Sequence, residues 1–190
     1  MNDKLKEEIR KTQEILKKGG IILYPTDTIW GLGCDATNTE AVKRIYEIKK
    51  RADNKSMLVL LDDAGKIASY ADVPAIALDL IEVADKPTTI IYPGAKRLAP
   101  DLIAEDGTIG IRITKEEFTK SLLFRFNRPI VSTSANISGE PSPRFYEEIS
   151  EEIRNAVDYI VDYRRNDHTP ASPSSIIKLG SSGEIQIIRK

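Results

Sequence analysis

The sequence is poor in the residues that most often build disulfides, metal centres and nucleophilic sites. Its 190 residues include one cysteine, Cys34, and one histidine, His168. A single cysteine excludes an internal disulfide and a cysteine cluster, and a single histidine excludes a histidine-rich metal site. We therefore expect no metal site built by the protein, and any metal ion would rely on carboxylates, hydroxyls or the phosphates of a ligand.

Neither sign of charge predominates, and no apolar run approaches the length of a membrane span. The chain has 28 lysines and arginines against 29 aspartates and glutamates, which gives a net charge of −1. This balance excludes a globally basic nucleic-acid binder but leaves room for a local basic patch. The first residues also lack the apolar core of a secretory signal. We therefore expect a cytoplasmic protein that makes no membrane contact.

Short apolar runs and amphipathic segments alternate along most of the chain. The runs predict strands at 21–23, 57–61, 88–92, 108–113, 129–132 and 159–161. The amphipathic spacing predicts helices at 3–18, 39–50, 74–84, 114–125 and 144–156, with Thr114 and Glu117 forming a capping box. Residues 175–179 and 184–188 predict a terminal hairpin. This order predicts one α/β domain over residues 3–190, with an open, twisted, mixed β-sheet and flanking helices.

Residues 24–35 carry many polar groups within a short segment that follows a predicted strand. They read Tyr-Pro-Thr-Asp-Thr-Ile-Trp-Gly-Leu-Gly-Cys-Asp. We expect a turn leaving the strand end, in which Gly31 and Gly33 allow close backbone approach. Such a turn can present the hydroxyls of Thr26 and Thr28 to a small polar ligand. Equally, the threonines can serve only the local backbone, as they do in many turns.

Three further polar clusters lie beside predicted element ends, where α/β sheets usually bind ligands. They are Lys49 with Arg51 and Lys55, then Thr108 with Arg112, and then the run 132–136. Hydroxyls, an amide and cations together suit a polyanion such as a nucleoside triphosphate. The first cluster alone also fits a solvated helix end, or a contact with RNA phosphates. No phosphate-loop sequence of the Gly-x-x-x-x-Gly-Lys-Ser/Thr type is present.

A hydrolase is a weaker interpretation of the same residues. Ser132 or Ser134 could act as a nucleophile with His168 as base, but the Gly-x-Ser-x-Gly turn is absent. A lone histidine in a polar loop is more often solvated than catalytic. Cys34 is more readily explained as a small buried residue than as a nucleophile.

In their order and spacing, these clusters resemble the motifs of the YrdC-like, or TsaC-type, threonylcarbamoyl-AMP synthases. The matching segments are 24–35, 45–55, 108–112 and 132–139, followed by Ser174-Ser175-Ile-Ile and Arg189. Together they span nearly the whole chain, and the match is to the short, single-domain form. The chain departs from the usual pattern at Ala52 and Ser56, which stand where the family generally has proline.

The resemblance implies a fold and an activity. The fold is an open, twisted α/β sheet with a concave basic face. The activity joins L-threonine, bicarbonate or carbon dioxide, and ATP into threonylcarbamoyl-AMP, with Mg²⁺ accompanying the ATP and pyrophosphate as the second product. A separate threonylcarbamoyl transferase would then use the adenylate to modify tRNA. The alternative is a non-catalytic module that binds tRNA or other double-stranded RNA, or associates with the ribosome, through the same face.

The resemblance also assigns roles to individual residues. The predicted catalytic residues, which stabilise charge on the phosphates and carbamate, are Lys49, Arg51 and Arg112. The predicted substrate- and ATP-binding residues are Thr26, Thr28, Lys55, Thr108, Ser132, Thr133, Ser134, Asn136, Ser175 and Arg189.

Overall fold

Nine strands and five α-helices form within residues 2–50 and 57–190, which are the residues that the computed structural model describes. The strands are β1 (Ile22–Tyr24), β2 (Gly31–Gly33), β3 (Leu58–Leu61), β4 (Thr88–Tyr92), β5 (Ile109–Ile113), β6 (Ile130–Ser134), β7 (Tyr159–Ile160), β8 (Ser175–Leu179) and β9 (Ile185–Arg189). The α-helices are α1 (Asp3–Lys17), α2 (Thr39–Lys49), α3 (Ile76–Val83), α4 (Glu117–Phe126) and α5 (Glu151–Ala156). None of these helices is long and apolar enough to cross a membrane.

The strands form one mixed sheet, in the order β7-β1-β2-β6-β3-β5-β4-β8-β9. Three neighbouring pairs are parallel: β1 with β7, β3 with β5, and β4 with β8. The remaining pairs are antiparallel, including the terminal hairpin of β8 and β9. The predicted α/β class, the mixed sheet and the closing hairpin are therefore confirmed.

One face of the sheet is packed against α2, α5 and the shorter helical turns. Val42 and Ile45 of α2 and Ile153 of α5 lie in a single apolar cluster with strand residues such as Val59 and Ile111. The periodicity that predicted α2 has the same origin, since residues three or four apart share one side of a helix. This cluster forms the main core.

The opposite face is covered by helices over only part of its width. Helices α1 and α4 pack together there, and their Ile9 and Phe118 join an apolar cluster with Tyr24, Leu60 and Ile130 of β1, β3 and β6. The described helices leave the same face open beyond β3, over β5, β4, β8 and β9. A cavity of about 710 Å³ lies over that open half.

Three local predictions were wrong. Residues 24–35 are not a single turn, because the chain returns as β2 and pairs with β1; the Gly-Leu-Gly sequence of β2 gives little strand signal, since glycine is depleted in strands.

The helix predicted at 144–156 is a 3₁₀ turn at Tyr146–Glu148 followed by α5, whose N-cap is Ser150. The capping box fails because the Glu116 carboxylate, and not Thr114, accepts the Phe118 and Thr119 N–H groups at the start of α4.

Candidate active site

A cavity of about 710 Å³ lies against the open half of the sheet. Thr108, Gly110 and Arg112 reach it from β5 and the residue before it, because alternate residues of a strand share one face. Between them, Ile109 and Ile111 point into the main core on the other side. The alternation Thr-Ile-Gly-Ile-Arg-Ile therefore lets one strand supply both the core and the cavity.

The pairing of strands aligns a row of side chains across the cavity floor. Arg112 of β5 is opposite Thr89 of β4, Thr89 is opposite Ile176 of β8, and Ile176 is opposite Arg189 of β9. Since neighbouring strands lie about 4.8 Å apart, the two arginine positions are separated by roughly 14 Å. A cation at each end of such a row suits a ligand whose anionic groups are well separated.

Arg112 is the most tightly held cation of the described cavity lining. Its side chain is only 3% exposed and lies 3.0 Å from the Asp27 carboxylate, and Nη2 also donates a hydrogen bond of 3.3 Å to Thr28 Oγ1. Its Nε is buried and has no hydrogen-bond partner among residues 2–50 and 57–190. A buried donor without a partner is unfavourable. A carboxylate or phosphate oxygen is the kind of partner that satisfies a guanidinium N–H with a charge-assisted bond.

Thr26 and Thr28 have different positions in the loop between β1 and β2. The Thr26 hydroxyl donates to the Ile29 carbonyl at 2.7 Å and accepts from the Thr28 N–H at 3.0 Å. The two hydroxyls are 3.0 Å apart. Because the Thr26 proton is engaged with Ile29, Thr28 is the donor between the hydroxyls and its oxygen accepts from Arg112. Thr28 lines the cavity, whereas Thr26 fixes the loop that presents it.

The end of β6 brings three predicted residues, Ser132, Thr133 and Ser134, to the cavity. The backbone of β2 lies beside them, with Gly31 paired to Ser134. Trp30, the residue before β2, supplies an apolar wall and packs against Tyr146 with a ring-centroid distance of 5.1 Å. A flat apolar wall beside hydroxyls is suited to a ligand with both a ring and polar groups.

Lys49 and Asn136 are not among the residues that line the cavity. Lys49 is 1% exposed, and its ammonium donates to the carbonyls of Ser134 and Asn136 at 2.5 and 2.7 Å. The Asn136 amide nitrogen donates to the carbonyls of Ile137 and Glu140 at 3.0 and 2.8 Å. Both side chains therefore hold the turn after β6. Arg51 and Lys55 lie outside the described residues.

At the C-terminal hairpin, Ser174 rather than Ser175 faces the cavity. Its hydroxyl is 2.8 Å from the Thr89 hydroxyl, and its carbonyl accepts from Arg189 Nε at 2.8 Å. Ser175 pairs with Thr88 in the register of β8 and β4. The sequence motif contains both serines, and only the strand register shows which of two adjacent residues faces the cavity.

The rim carries an ion pair that sequence analysis missed. Lys178 Nζ lies 2.5 Å from Asp106 Oδ2, and the Thr108 hydroxyl donates to Asp106 Oδ1 at 2.6 Å. The hydrogen bond from Lys178, followed by that from Thr108, lowers the pKa of Asp106 to about 2. No sequence signal pairs two residues so far apart. With Glu105, the described lining holds three cations and two acids.

The residues considered for a hydrolase do not assemble. Cys34 is a free, buried thiol, and burial raises its pKa above the usual range. His168 lies outside the cavity lining, where it packs on Phe145 and faces the Glu147 carboxylate at 3.4 Å. Within the described ranges, no group of three or more His, Cys, Asp or Glu side chains is placed to hold a metal ion.

The site is a cavity with three cations in its described lining and strand-end hydroxyls on the open half of a mixed α/β sheet, an arrangement that suits an anionic ligand. The chain belongs to the Sua5/YciO/YrdC family, whose model, described as "Telomere recombination", matches residues 14–190.

Named relatives place the chain more closely within this family. A threonylcarbamoyl-AMP synthase of Pseudoalteromonas translucida is 33% identical over 165 residues, which cover 85% of this chain and 87% of that protein. A protein of Methanocaldococcus jannaschii, whose name assigns the same activity provisionally, is 38% identical over 186 residues, or 95% of this chain and 86% of its own length. The crystal structure of P. abyssi Sua5 complexed with L-threonine matches with a TM-score of 0.80 and 26% identity. That match covers 90% of this chain but only 50% of the longer Sua5 chain.

Proposed function

We propose that the protein is an ATP-dependent L-threonylcarbamoyladenylate synthase, which converts L-threonine, bicarbonate or carbon dioxide, and ATP into threonylcarbamoyl-AMP and pyrophosphate. Family membership and the names of the relatives support the proposal. The observation on which it rests is the buried Arg112, which lines a cavity that also holds strand-end hydroxyls and Arg189, and whose Nε has no hydrogen-bond partner in the described structure.

The reaction requires no covalent bond between the protein and a substrate. The threonine amine adds to carbon dioxide and loses a proton to solvent, which gives a carbamate, and a carbamate oxygen then attacks the α-phosphorus of ATP as pyrophosphate leaves. Catalysis of this kind consists mainly of positioning and of stabilising charge. The inert, buried Cys34 agrees with a reaction that needs no protein nucleophile.

Each part of the cavity has a role in this scheme. Arg112, held by Asp27 and Thr28, orients a carboxylate or carbamate through its free Nε. Ser132 and Ser134, with Thr133, Thr108 and Ser174, supply hydrogen bonds to polar groups of the substrates. Arg189, together with Arg51 and Lys55, offsets the charge of the triphosphate and of the departing pyrophosphate.

Four residues act from outside the described cavity lining. Thr26 positions Thr28. Lys49 and Asn136 act by holding the turn that follows β6, so that the Ser134 and Thr133 groups stay in place. Ser175, adjacent to Ser174, contributes through the backbone of β8.

The proposal includes Mg²⁺ bound to the phosphate oxygens of ATP, which are the hard ligands that this ion prefers. It also includes a cytoplasmic location and delivery of the adenylate to a separate transferase that modifies tRNA. Direct contact with tRNA is not needed for the synthase step.

A pyrophosphate-release assay tests the proposal. We expect release only when ATP, Mg²⁺, L-threonine and bicarbonate are all present, and mass spectrometry should identify threonylcarbamoyl-AMP as the co-product. Omission of threonine is the critical control, because a nonspecific ATPase would be unaffected by it. Salt-sensitive RNA binding without any threonine-dependent turnover would instead establish the non-catalytic module.

A further inference from the structure

The β1–β2 loop, residues 25–30, is held through its backbone by two side chains that do not belong to the cavity. Arg164 Nη1 donates a hydrogen bond of 3.1 Å to the Thr26 carbonyl, and the Thr119 hydroxyl donates one of 3.2 Å to the Pro25 carbonyl. Arg164 follows β7, whereas Thr119 lies in the first turn of α4. Neither is among the residues that line the cavity in the described structure. Two successive carbonyls of the loop are therefore fixed from outside the candidate active site.

Arg164 has an unusual backbone conformation. Its φ is +56°, in the left-handed region that residues other than glycine disfavour. Such a conformation persists where surrounding contacts hold it, and it is often found at functional sites. Here Nε and Nη2 each lie 2.8 Å from Asp167 Oδ2, while Nη1 donates to Thr26. The turn therefore directs one end of a guanidinium, whose other end is paired, to the β1–β2 loop.

The start of helix α4 contacts the same arginine. Glu116, the N-cap of α4, accepts the N–H groups of Phe118 and Thr119 at 3.2 and 2.7 Å, and its Oε1 lies 4.0 Å from Arg164 Nη1. Tyr163, the neighbour of Arg164, stacks on Phe118 with ring centroids 5.6 Å apart. Arg164 and Thr119 are therefore parts of one network and not two separate surface contacts.

This network reaches Arg112 through the β1–β2 loop. Asp27, directly after Thr26, lies 3.0 Å from Arg112, and the Thr28 hydroxyl accepts from Arg112 at 3.3 Å. The Thr26 hydroxyl also accepts the Thr28 N–H at 3.0 Å, so a shift of Thr26 would move Thr28 with it. Hydrogen bonds weaken steeply as their geometry departs from the optimum. A small displacement of the loop would therefore change how Arg112 is held.

We propose that Arg164 is a positioning residue for the amino-acid end of the active site, where it fixes the β1–β2 loop so that Asp27 and Thr28 hold Arg112 in place. The inference rests on the proposed synthase function, in which Arg112 orients a carboxylate or carbamate of the threonine substrate. Arg189, at the other end of the row of side chains, offsets the charge of the triphosphate. Loss of Arg164 should therefore affect the use of threonine and leave the use of ATP unaltered.

Arg164→Asn tests this role by comparing the two substrates. Asparagine tolerates the left-handed region better than most residues, but its amide is too short to replace the contact with the Thr26 carbonyl. We expect the KM for L-threonine to rise about tenfold, as for one lost hydrogen bond from a charged donor, with the KM for ATP within about twofold of wild type. Arg164→Lys should recover part of the loss, because an ammonium can donate to the same carbonyl.

Arg44→Gln is the matched control. Arg44 also pairs with an aspartate, Asp158, at 2.9 and 3.2 Å, and its side chain is 42% exposed compared with 32% for Arg164. It is not among the cavity-lining residues of the described structure, so both KM values should stay at wild type. If Arg164 served only its own turn, Arg164→Asn would lower the free energy of unfolding without changing either KM. That outcome, or an equal rise in both KM values, would overturn the proposal.

NMR of the full chain with labelled threonine γ2-methyl groups gives a second measurement, which does not depend on activity. The Thr28 methyl should shift in Arg164→Asn, although Arg164 contacts the loop two residues earlier, at Thr26. Thr119→Val, which removes the second backbone contact, should shift the same methyl. Thr39, at the start of α2, should not respond in either variant. An unmoved Thr28 methyl in Arg164→Asn would contradict the positioning role.

The two measurements separate failure of this inference from failure of the proposed function. A wild-type protein without threonine-dependent pyrophosphate release would refute the synthase, whatever the variants did. The methyl shifts would then still decide whether Arg164 positions the β1–β2 loop. An active wild-type enzyme with unchanged threonine kinetics in Arg164→Asn would refute the positioning role alone.

Discussion

At the scale of single residues, the two ends of the Arg112 guanidinium have different surroundings. Asp27 and Thr28 engage one end of its guanidinium, while Nε is left without a partner in the described structure. A lysine at this position would keep the charge but lose the planar fork that can contact two groups at once. The local geometry therefore makes a sharp mutational test possible.

We expect Arg112→Lys to lower kcat/KM for threonine-dependent pyrophosphate release by about a hundredfold, equivalent to about 2.7 kcal/mol of transition-state stabilisation. The matched control is Arg125→Lys, at an exposed arginine on α4 that lies outside the cavity lining. Asp27→Asn should give an intermediate loss, because the guanidinium keeps Thr28 but loses its ion pair. Wild-type kinetics in Arg112→Lys would refute the proposed role of this residue.

Asp106 provides a test by pH. Its pKa is about 2 in the folded protein, below the value of about 3.9 for an unperturbed aspartate. Its contribution to stability is therefore complete above about pH 4 and is lost as the pH falls through about 2. The side chain is about half exposed, so this contribution stays below about 1 kcal/mol.

We expect Lys178→Met to move the pKa of Asp106 back toward the usual range, since the hydrogen bond from Lys178 is the largest cause of its depression. A ¹³C NMR titration of the Asp106 carboxyl measures the shift. Lys4→Met is a suitable control, because Lys4 faces Asp162 and not Asp106. An unaltered Asp106 titration in Lys178→Met would show that the ion pair does not form in solution.

At the scale of elements, the hairpin of β1 and β2 depends on glycine at a position where a side chain would be too close to its neighbours. A Cβ at Gly33 would lie 2.6 Å from the Tyr24 ring and 2.8 Å from the Val131 carbonyl. The same strand could accept a methyl group at Gly31 more easily, where the nearest atom would be 3.3 Å away. Tyr24 fills the space that glycine leaves, and its hydroxyl donates to that same Val131 carbonyl at 3.1 Å.

Gly33→Ala should therefore lower the free energy of unfolding by about 1–3 kcal/mol, the usual range for an overpacked core. Gly31→Ala is the matched comparison and should lower it less. Urea denaturation monitored by circular dichroism measures both, with equal slopes required for a valid comparison. If the two variants lost the same stability, crowding against Tyr24 would not be the reason for glycine at position 33.

The element boundaries that sequence analysis missed share a physical cause. Gly-Leu-Gly in β2 lacks any strand preference of its own and is a strand only because β1 and β6 lie on either side. The helix expected at 144–156 breaks because Ile149 adopts extended geometry and Ser150 accepts the Ile153 N–H, which starts α5 afresh. Strand pairing determines the bounds of β2, and helix capping determines the start of α5. The spacing of apolar residues indicates neither.

At the scale of the whole molecule, the sequence predicted which segments meet but not which side chains line the cavity. Thr28, Arg112 and Arg189 do line one cavity although they are far apart in the chain. Lys49 and Asn136 lie in two of the predicted segments, but their side chains bond to the turn after β6. The difference arises because motif order follows the topology of the sheet, whereas inward or outward orientation depends on register and on local hydrogen bonds.

Arg112 and Arg189 lie on strands that are held in the sheet to different extents. β9 pairs with a single neighbour, β8, all five of its residues are exposed, and it carries Arg189. Arg112, by contrast, sits on a strand with neighbours on both sides and is almost completely enclosed. Fraying of one edge strand could thus release the outer cation while the inner one stayed fixed. In the proposed function, the affinity for the part of the ligand near Arg189 can therefore vary while the contact with Arg112 is kept.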